Sequence, residues 1–367
     1  MDLKFPEILK LIILSFIIPY LITVYLTPII FRITLIKDIT AHENGRTSHH
    51  GKVPLMGGLS VFAGFFIASL LLVDQQELSS LKELLAGTLI ILMMGMKDDM
   101  FGVPAWKKIA GQALAAGILI FVGDVRFTDL HGFLGVGEIG YGLSVVITLI
   151  TIVGLTNCYN LIDGVDALAA GLGSTGLTAL AIWFGINGYQ GLMMVSVILT
   201  ASLIAFIPFN LRNNKRKIFM GDTGSMPLGF VIAFLIIQFN QLNIGATAPY
   251  DLISAPAISI GIAFVPVFDT LRVMLLRLLK QKSPFCADRN HMHHKFLALG
   301  LSHGQTSLLL ALLNVGFILL SFFSQYLGTT LLLCVLLITG IVVFALPTMA
   351  FNAKRRRIKE GEMTGGH

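Results

Sequence analysis

The stretch LIILSFIIPYLITVYLTPII (Leu11–Ile30) carries no charge and is as long as a helix that crosses a bilayer core. The rest of the chain has the same character, because 55% of its residues are hydrophobic, only 13% are charged and the mean hydropathy is +0.82. A soluble domain carries about 25% charged residues. The apolar residues also form long runs without amphipathic stripes. The sequence therefore predicts an all-α polytopic integral membrane protein.

Eleven apolar segments are predicted to be membrane helices, with ten as the alternative count. Several have fewer strictly apolar residues than the roughly 20 that span a bilayer, so their polar flanks have to complete the crossing in a wet cavity or against protein. The first segment has no basic leader and no small-residue cleavage site, which indicates an uncleaved helix. The segments are roughly 11–30, 55–73, 84–96, 109–122, 143–158, 167–185, 191–209, 226–239, 252–276, 307–323 and 329–350.

The lysine and arginine residues predict the orientation. Eleven crossings put the termini on opposite sides. A cytoplasmic C-terminus then leaves only Lys4, Lys10, Lys82 and Arg126 of the 26 basic residues on the other side. This bias satisfies the positive-inside rule. The net charge of +6 therefore reflects the membrane topology and can attract anionic ligands or lipids. The sequence contains no nucleic-acid-binding motif that would give this charge another meaning.

One catalytic membrane domain is predicted over residues 1–350, followed by a basic cytoplasmic tail at 351–367. The sequence shows no repeat and no soluble domain, so any function has to be built from loops and helix ends. The predicted cytoplasmic loops are 31–54, 97–108, 210–222 and 277–306.

Four polar clusters from distant parts of the chain fall on the predicted cytoplasmic side. They are MKDDMFG with Asp98 and Asp99, TNCYNLIDGVDAL with Asn157, Asn160, Asp163 and Asp166, KIFMGDTGS with Asp222, and FCADRNHMHHKF with Asp288, Arg289, His291, His293 and His294. Each cluster alone has a structural explanation. The aspartate pair fits a solvated turn, Asp166 fits a helix cap, and the histidines fit an interfacial loop. Asp222 or Thr223 fits the N-cap of the eighth segment.

Together, the clusters indicate phosphoryl transfer. Carboxylate and amide oxygens suit Mg²⁺ or Mn²⁺ with phosphate better than zinc. The three-residue spacing of Asn160, Asp163 and Asp166 predicts that a helical turn sets them near one face. Lys107, Lys108 and the Arg289–histidine cluster can neutralise phosphates. The sequence has no GxxxxGK[ST] motif, which excludes a P-loop ATPase.

Five motifs resemble a known family. GKVPLMGGLSVF, MKDDMFG, NCYNLIDGVDALAAGLG, FMGDTGSMPLGF and DRNHMHHKF, in this order over about residues 45–300, are similar to those of the polyprenyl-phosphate N-acetylhexosamine-1-phosphate transferases. These are the WecA-like and MraY-like membrane enzymes of glycosyltransferase family 4. The HMHH sequence resembles the WecA-like branch, because the MraY-like branch usually has three consecutive histidines.

The resemblance implies a reaction at the cytoplasmic face of the bacterial inner membrane. A UDP-N-acetylhexosamine, by default UDP-GlcNAc, gives its sugar 1-phosphate to undecaprenyl or another polyprenyl phosphate, and UMP leaves. This would be the first membrane step of cell-envelope polysaccharide synthesis. Phospho-MurNAc-pentapeptide transfer is the alternative within the family. The oligomeric state stays open, with a homodimer as one outcome.

The resemblance also assigns the site residues. It implies Mg²⁺, or Mn²⁺ in its place, held by Asp222 and Asn160. It implies that Phe219 stacks on uracil and that Asp166 hydrogen-bonds the base. The other assignments are catalytic roles for Asp98, Asp99, Asp163 and Lys108, and substrate-binding roles for Asn157, Arg289, His291, His293 and His294.

Two departures concern loop shape more than activity: Ala167 stands where the family commonly has glycine, and Ala287 where it often has proline.

We expect one-step in-line attack, because a phosphate monoester with a second pKa of about 6 is already mostly dianionic near neutral pH. Asp98 or Asp99 then orients the acceptor or completes the metal site. A covalent aspartyl intermediate is the rival mechanism.

Two rival classes fit the sequence less well. Secondary transporters keep ionisable residues near the bilayer midplane and show internal repeats, whereas here the clusters lie at helix ends. CDP-alcohol phosphotransferases also have a DG motif, but the Ala-Arg pair that follows it in that family is missing from DGVDALAAG.

Overall fold

The computed structural model describes residues 5–40, 53–212, 216–245, 250–281 and 290–364. Asp288, Arg289 and residues 41–52 of the predicted loop 31–54 lie outside the described residues. The helices are α1 (Phe5–Ile36), α2 (Gly58–Leu72), α3 (Gln75–Phe101), α4 (Ala105–Gly117), α5 (Tyr141–Ile162), α6 (Leu168–Ile186), α7 (Gln190–Asn210), α8 (Asp222–Leu242), α9 (Ala255–Ile262), α10 (Phe264–Leu279), α11 (Met292–Leu299), α12 (His303–Phe323) and α13 (Thr329–Thr364). Between α4 and α5, β1 (Asp129–Phe133) pairs antiparallel with β2 (Val136–Glu138).

The helix pattern confirms the all-α polytopic fold class, since every predicted apolar segment falls on a helix. Among the described residues, eight helices are long and apolar enough to cross a membrane, or nine if the α9–α10 pair is one broken span. α2 is a shorter apolar helix of 15 residues, and α3 has an apolar centre with charged residues toward both ends. The number of crossings, ten or eleven, therefore stays a prediction.

The ninth segment, predicted as one span over 252–276, is broken. α9 ends at Ile262 and α10 begins at Phe264, and their axes differ by 82°. Pro266 lies in the first turn of α10, where proline is tolerated because the residue has no intrahelical N–H bond to lose. The bend brings α10 toward the end of the bundle where α3 and α5 finish and α8 begins. This end is called the site end below.

α8 is the most buried of the candidate spans, and its first turn is packed closely by α2 and α3. A Cβ on Gly58 would lie 2.1 Å from the Cα of Gly224, and a Cβ on Gly95 would lie 2.4 Å from the carbonyl oxygen of Asp222. Only glycine allows backbones to approach this closely. The start of α8 is therefore fixed by contacts with two neighbouring helices.

The backbone before α8 is also fixed, by the segment before α2. The N–H of Phe219 donates to Pro54 O at 2.9 Å, and the N–H of Gly57 donates to Phe219 O at 2.8 Å. Gly58 N–H donates to Met220 O at 2.9 Å. The VPLMGG and FMGD motifs, which lie far apart in sequence, thus form one unit at the site end.

Candidate active site

Asp99 caps the amino terminus of α8 from a different helix. Its carboxylate accepts hydrogen bonds from the backbone N–H groups of Asp222 (2.9 Å) and Thr223 (3.0 Å) and from the Thr223 hydroxyl (2.5 Å). The N-cap position is Gly221, at φ 70°, which has no side chain to serve the free N–H groups. The sequence-based alternative of Asp222 or Thr223 as N-cap is therefore wrong, because both lie inside the helix and Asp99 supplies the acceptor.

Lys108 joins two of the predicted acidic residues. Its Nζ lies 2.7 Å from Asp98 Oδ2 and 2.7 Å from Asp222 Oδ2, so one ammonium bridges the end of α3 and the start of α8. Asp98 also accepts a hydrogen bond from Val103 N–H at 2.6 Å. All three side chains are partly buried, which limits screening of these ion pairs by solvent. The predicted grouping of Asp98, Lys108 and Asp222 is thus present.

The two asparagines of α5 have different surroundings. Asn160 Nδ2 donates to Ser225 Oγ at 3.0 Å, which puts this amide beside the first turn of α8. Asn157 forms a reciprocal amide pair with Gln112 of α4, with its Nδ2 donating to Gln112 Oε1 at 2.7 Å and its Oδ1 accepting from Gln112 Nε2 at 3.3 Å. Gln112 is fully buried and lies one turn after Lys108. Asn157 therefore holds α4, the helix that carries Lys108, against α5.

The DGVD turn separates residues that were predicted to share a helical face. α5 ends at Ile162, Asp163 is its C-cap, and α6 begins only at Leu168. The predicted common face for Asn160, Asp163 and Asp166 is therefore wrong. Burial raises the pKa of Asp163 well above its usual range, and the nearby carboxylates of Asp222, Asp99 and Asp166 raise it further.

Asp166 lies in a buried cluster with two basic side chains. Lys217 Nζ is 2.5 Å from Asp166 Oδ2, and His303 Nδ1 is 3.1 Å from the same oxygen. Burial alone would raise the pKa of Asp166, but hydrogen bonds and charge from His303 and Lys217 outweigh it and hold the pKa below its usual range. Asp166 does not cap α6, whose N-cap is Ala167. The Phe219 ring lies 5.2 Å from Lys217 Nζ, so Phe219 and Asp166 share this lysine.

The histidines of HMHH are held by a residue that the sequence analysis did not select. Asp269 of α10 is fully buried and accepts from His291 Nδ1 at 3.0 Å, from Arg272 at 2.7 Å and from Met292 N–H at 3.1 Å. His291 and His293 have parallel rings 5.5 Å apart, and His293 and His294 rings are 4.3 Å apart. The broken ninth span thus orients the start of α11.

His293 connects these histidines to the DGVD turn. A Cβ on Gly164 would lie 2.8 Å from His293 Nε2, and His293 is only 1% exposed. Burial, followed by the charge of the neighbouring His294 and His291, lowers the pKa of His293 to about 3 against the opposing effect of Asp269. The low pKa disfavours the charged form of His293. The role of the three histidines in neutralising phosphates stays a prediction.

Sequence reasoning missed Gln112, Lys217, Asp269 and His303. Asp269 had a detectable signal, because a carboxylate within an apolar span is rare and usually functional. Lys217 lies two residues before Phe219 in KIFMGD, but a basic residue in a basic loop gives no indication that it is buried. Arg289 lies outside the described residues, so its predicted role stays a prediction.

The donor set fits a hard divalent cation. Within the described ranges, no three His, Cys, Asp or Glu side chains are grouped so as to hold a metal by themselves. Asp222 could offer a carboxylate, and Asn160, whose amide nitrogen donates to Ser225, could offer its carbonyl oxygen. The Lys108 ammonium between Asp98 and Asp222 shows that this position favours positive charge. One or two protein oxygen ligands completed by substrate and water are typical of Mg²⁺.

A membrane-spanning helical bundle whose one end gathers carboxylates, amides and buried cations has the architecture of an integral membrane enzyme. The family model described as Glycosyl transferase family 4 matches residues 81–240. The chain is 32% identical over 308 residues to a Bacillus subtilis (strain 168) protein named "Probable undecaprenyl-phosphate N-acetylglucosaminyl 1-phosphate transferase", covering 84% of this chain and 82% of the relative. This chain belongs to glycosyltransferase family 4.

Other relatives agree with this membership. The "Decaprenyl-phosphate N-acetylglucosaminephosphotransferase" of Mycobacterium tuberculosis (strain ATCC 25618 / H37Rv) is 32% identical over 296 residues, which cover 74% of this chain and 72% of the relative. The "Undecaprenyl-phosphate alpha-N-acetylglucosaminyl 1-phosphate transferase" of Yersinia pestis is 31% identical over 276 residues, which cover 73% and 72%. The resemblance of the five motifs is therefore confirmed at the level of the family.

Proposed function

We propose that this protein transfers N-acetylglucosamine 1-phosphate from UDP-GlcNAc to undecaprenyl phosphate or a similar polyprenyl phosphate, with release of UMP. The observation that carries the proposal is the grouping of Asp98, Lys108 and Asp222 at one end of the bundle. It occurs in a chain that aligns over most of its length with relatives named for this transfer. The product would begin a lipid-linked cell-envelope polysaccharide.

The reaction requires little proton transfer from the protein. An oxygen of the acceptor phosphate forms a bond to the phosphorus that carries the sugar, and the bond from that phosphorus to the bridging oxygen breaks, so that UMP leaves with the oxygen. Because the acceptor is mostly dianionic near pH 7, the main task is to bring anions together and offset their charge. Lys108 supplies a fixed cation for this purpose, and Asp98 orients it through their 2.7 Å contact.

Asp222 and Asn160 would hold Mg²⁺, with Mn²⁺ as the alternative ion. When bound, the ion supplies charge neutralisation on the diphosphate. The cap from Asp99 and the close packing at Gly95 fix the backbone of Asp222, so its carboxylate has a defined position at the start of α8.

An apolar groove suits the prenyl chain of the acceptor. It has a volume of about 310 Å³ and lies between α5, α8 and the broken pair α9–α10. Ile150, Gly154 and Cys158 line it from α5, and Val267 and Leu271 line it from α10. Cys158 belongs to the same last turns of α5 as Asn157 and Asn160, so an acceptor chain in this groove would run along the helix that carries both asparagines.

The uridine part of the donor would bind at Phe219 and Asp166. The ring of Phe219 offers an aromatic face, and the Asp166 carboxylate accepts hydrogen bonds from a base edge. His291, His293 and His294 would face the sugar or diphosphate across the DGVD turn. In this arrangement the site end and the C-terminus are cytoplasmic and the protein is in the bacterial inner membrane, which agrees with the lysine and arginine distribution.

The test uses the full chain purified in detergent with Mg²⁺, undecaprenyl phosphate and UDP-GlcNAc labelled at the phosphorus next to the sugar. We expect UMP release and transfer of the label to the lipid, both abolished by EDTA and restored by Mg²⁺. Label that stays in UDP would indicate glycosyl transfer instead. A panel of UDP-GlcNAc, UDP-GalNAc and UDP-MurNAc-pentapeptide identifies the donor. Absence of UMP with every donor, together with solute uptake by proteoliposomes, would support a transporter and contradict the proposal.

A further inference from the structure

Lys217 is a lysine in an unusual place for its residue type. Only 7% of it is exposed, and its partner Asp166 is 5% exposed. Charged side chains are almost never buried to this extent unless they are paired. A buried ion pair is also weak support for stability, because desolvation of both charges offsets much of their attraction. Stability of the fold therefore does not explain why Lys217 and Asp166 are buried together.

The backbone on both sides of the pair is fixed. Asn210 Nδ2 donates to Ile218 O at 2.9 Å, and Asn210 Oδ1 accepts from the N–H of Ala167, so one asparagine holds the residues that follow Lys217 and Asp166. Ser307 of α12 donates its hydroxyl to Asp166 O at 2.6 Å. Lys217 therefore extends between two anchored segments, and its ammonium has a defined position.

The ammonium contacts both groups that the proposed function assigns to the base. It is 2.5 Å from Asp166 Oδ2 and 5.2 Å from the Phe219 ring centroid, within the range of a cation–π contact. His303 approaches the same Oδ2 at 3.1 Å. Because Lys217 and His303 contact the same oxygen, they restrict the rotation of the carboxylate, and the Lys217 ammonium favours its ionised form.

The charge state of Asp166 decides which base edges it can recognise. An ionised carboxylate is only an acceptor, whereas a protonated carboxyl also donates. Uracil has an N–H at position 3 and suits an acceptor. Cytosine has a lone pair there, which an ionised carboxylate repels and a protonated one can bind.

We propose that Lys217 is a positioning and specificity-determining residue that fixes an ionised Asp166 beside Phe219 and thereby selects a uridine over a cytidine nucleotide. The inference rests on the proposed function, since it assigns the Asp166–Phe219 region to the nucleobase. It adds a residue to that region and gives the physical origin of its selectivity. Lys217 acts through Asp166 and Phe219 and does not need to touch the reacting atoms.

The test compares wild type with Lys217→Met, which removes the charge and retains most of the side-chain length. We expect KM for UDP-GlcNAc to rise at least about tenfold with kcat changed less than about threefold, because uniform binding of the donor is lost. The ratio of inhibition constants for CMP and UMP should fall about tenfold. Lys280→Met, at an exposed lysine at the C-cap of α10, is the matched control and should change neither quantity.

A merely structural ion pair would give a different result. Lys217→Met would then lower the melting temperature and the active fraction, while KM and the CMP-to-UMP ratio of the remaining enzyme would stay at wild-type values, and this would overturn the proposal. If Lys217→Met does not accumulate folded, Lys217→Arg retains a cation and should keep its preference for UMP. Equal inhibition of folded Lys217→Arg by UMP and CMP would likewise overturn it. A wild-type protein that releases no UMP from any donor contradicts the proposed function instead.

Discussion

The carboxylate of Asp99 accepts two hydrogen bonds from Thr223, one from the backbone N–H at 3.0 Å and one from the hydroxyl at 2.5 Å. Together with the bond from Asp222 N–H, these contacts give α8 an N-terminal cap from the end of α3. An acidic cap also interacts favourably with the helix dipole. Of the two adjacent aspartates, Asp98 faces Lys108 and Asp99 faces α8, so neighbouring residues have separate tasks.

Replacing Asp99 with alanine should therefore lower the stability of the folded protein directly, and any loss of turnover should follow from that. Loss of an N-cap acceptor costs about 0.5–2 kcal/mol, and here three hydrogen bonds are lost together. We expect a lower melting temperature in detergent for Asp99→Ala and a smaller decrease for Asp99→Asn, which retains one acceptor oxygen. Asp124→Asn, at an exposed aspartate far along the chain, is the control. An unchanged melting temperature with abolished turnover would contradict the capping role and favour direct catalysis by Asp99.

Lys108 and a divalent cation should compete for Asp222. The ammonium is 2.7 Å from both Asp98 and Asp222, and its removal leaves two carboxylates without their shared cation. For Lys108→Met we expect tighter Mn²⁺ binding, measured by electron paramagnetic resonance, and a fall in turnover of about 100-fold, the size seen when one charge-stabilising group is removed from an active site. Metal binding and turnover therefore move in opposite directions.

The adjacent lysine provides the matched control for this experiment. Lys107 is exposed and lies over the Trp106 ring, 5.3 Å from its centroid, away from both carboxylates. The sequence suggested both lysines as phosphate-binding cations, but Lys108 is the one that contacts Asp98 and Asp222. We therefore expect Lys107→Met to keep wild-type Mn²⁺ affinity and turnover. If Lys108→Met binds Mn²⁺ no more tightly than Lys107→Met does, Lys108 does not occupy a position that the metal requires.

The sequence brought the acidic clusters to one side of the membrane because the lysine and arginine distribution fixed the topology, and the structure places Asp98, Asp99 and Asp222 together there. It could not assign their partners, since contacts such as Asp99–Thr223 and Lys217–Asp166 join distant segments and no local pattern reports them. The break at Ile262–Phe264 was hidden by continuous apolarity, although Pro266 was a signal for a helix start. The spacing of Asn160 and Asp166 suggested one helix, but Gly164 lies in the turn that ends it.

His293 should make the protein sensitive to acid. Its pKa is about 3 in the folded protein because of burial and the adjacent histidines, whereas histidine in an unfolded chain has a pKa of about 6.5. Between these values the unfolded state binds a proton that the folded state does not, so stability falls as pH decreases below about 6.5, by at most about 1.4 kcal/mol per pH unit. His293→Gln removes this contribution. We expect its melting temperature to decrease less than that of wild type between pH 6.5 and 5, and parallel profiles would show that His293 is not the group responsible.

Ala167 should be strained in the native structure. Its φ is 61°, in the left-handed region that disfavours residues with a Cβ, and it lies at the position where the family commonly has glycine. A left-handed backbone costs an L-residue about 1–2 kcal/mol, and replacing Ala167 with glycine would remove this cost. Part of that gain in stability is offset, because glycine loses more conformational entropy on folding. Ala167→Gly should therefore stabilise the protein by up to about 1 kcal/mol and raise its melting temperature.

The control for this last prediction lies three residues further along the chain. Ala170 is buried within α6, where the backbone is right-handed. Ala170→Gly should destabilise the protein by about 1 kcal/mol, since glycine is the poorer residue in a helix interior. The same change of side chain is thus expected to have opposite signs at two neighbouring positions. If both variants lose stability equally, the left-handed conformation of Ala167 is not a source of strain.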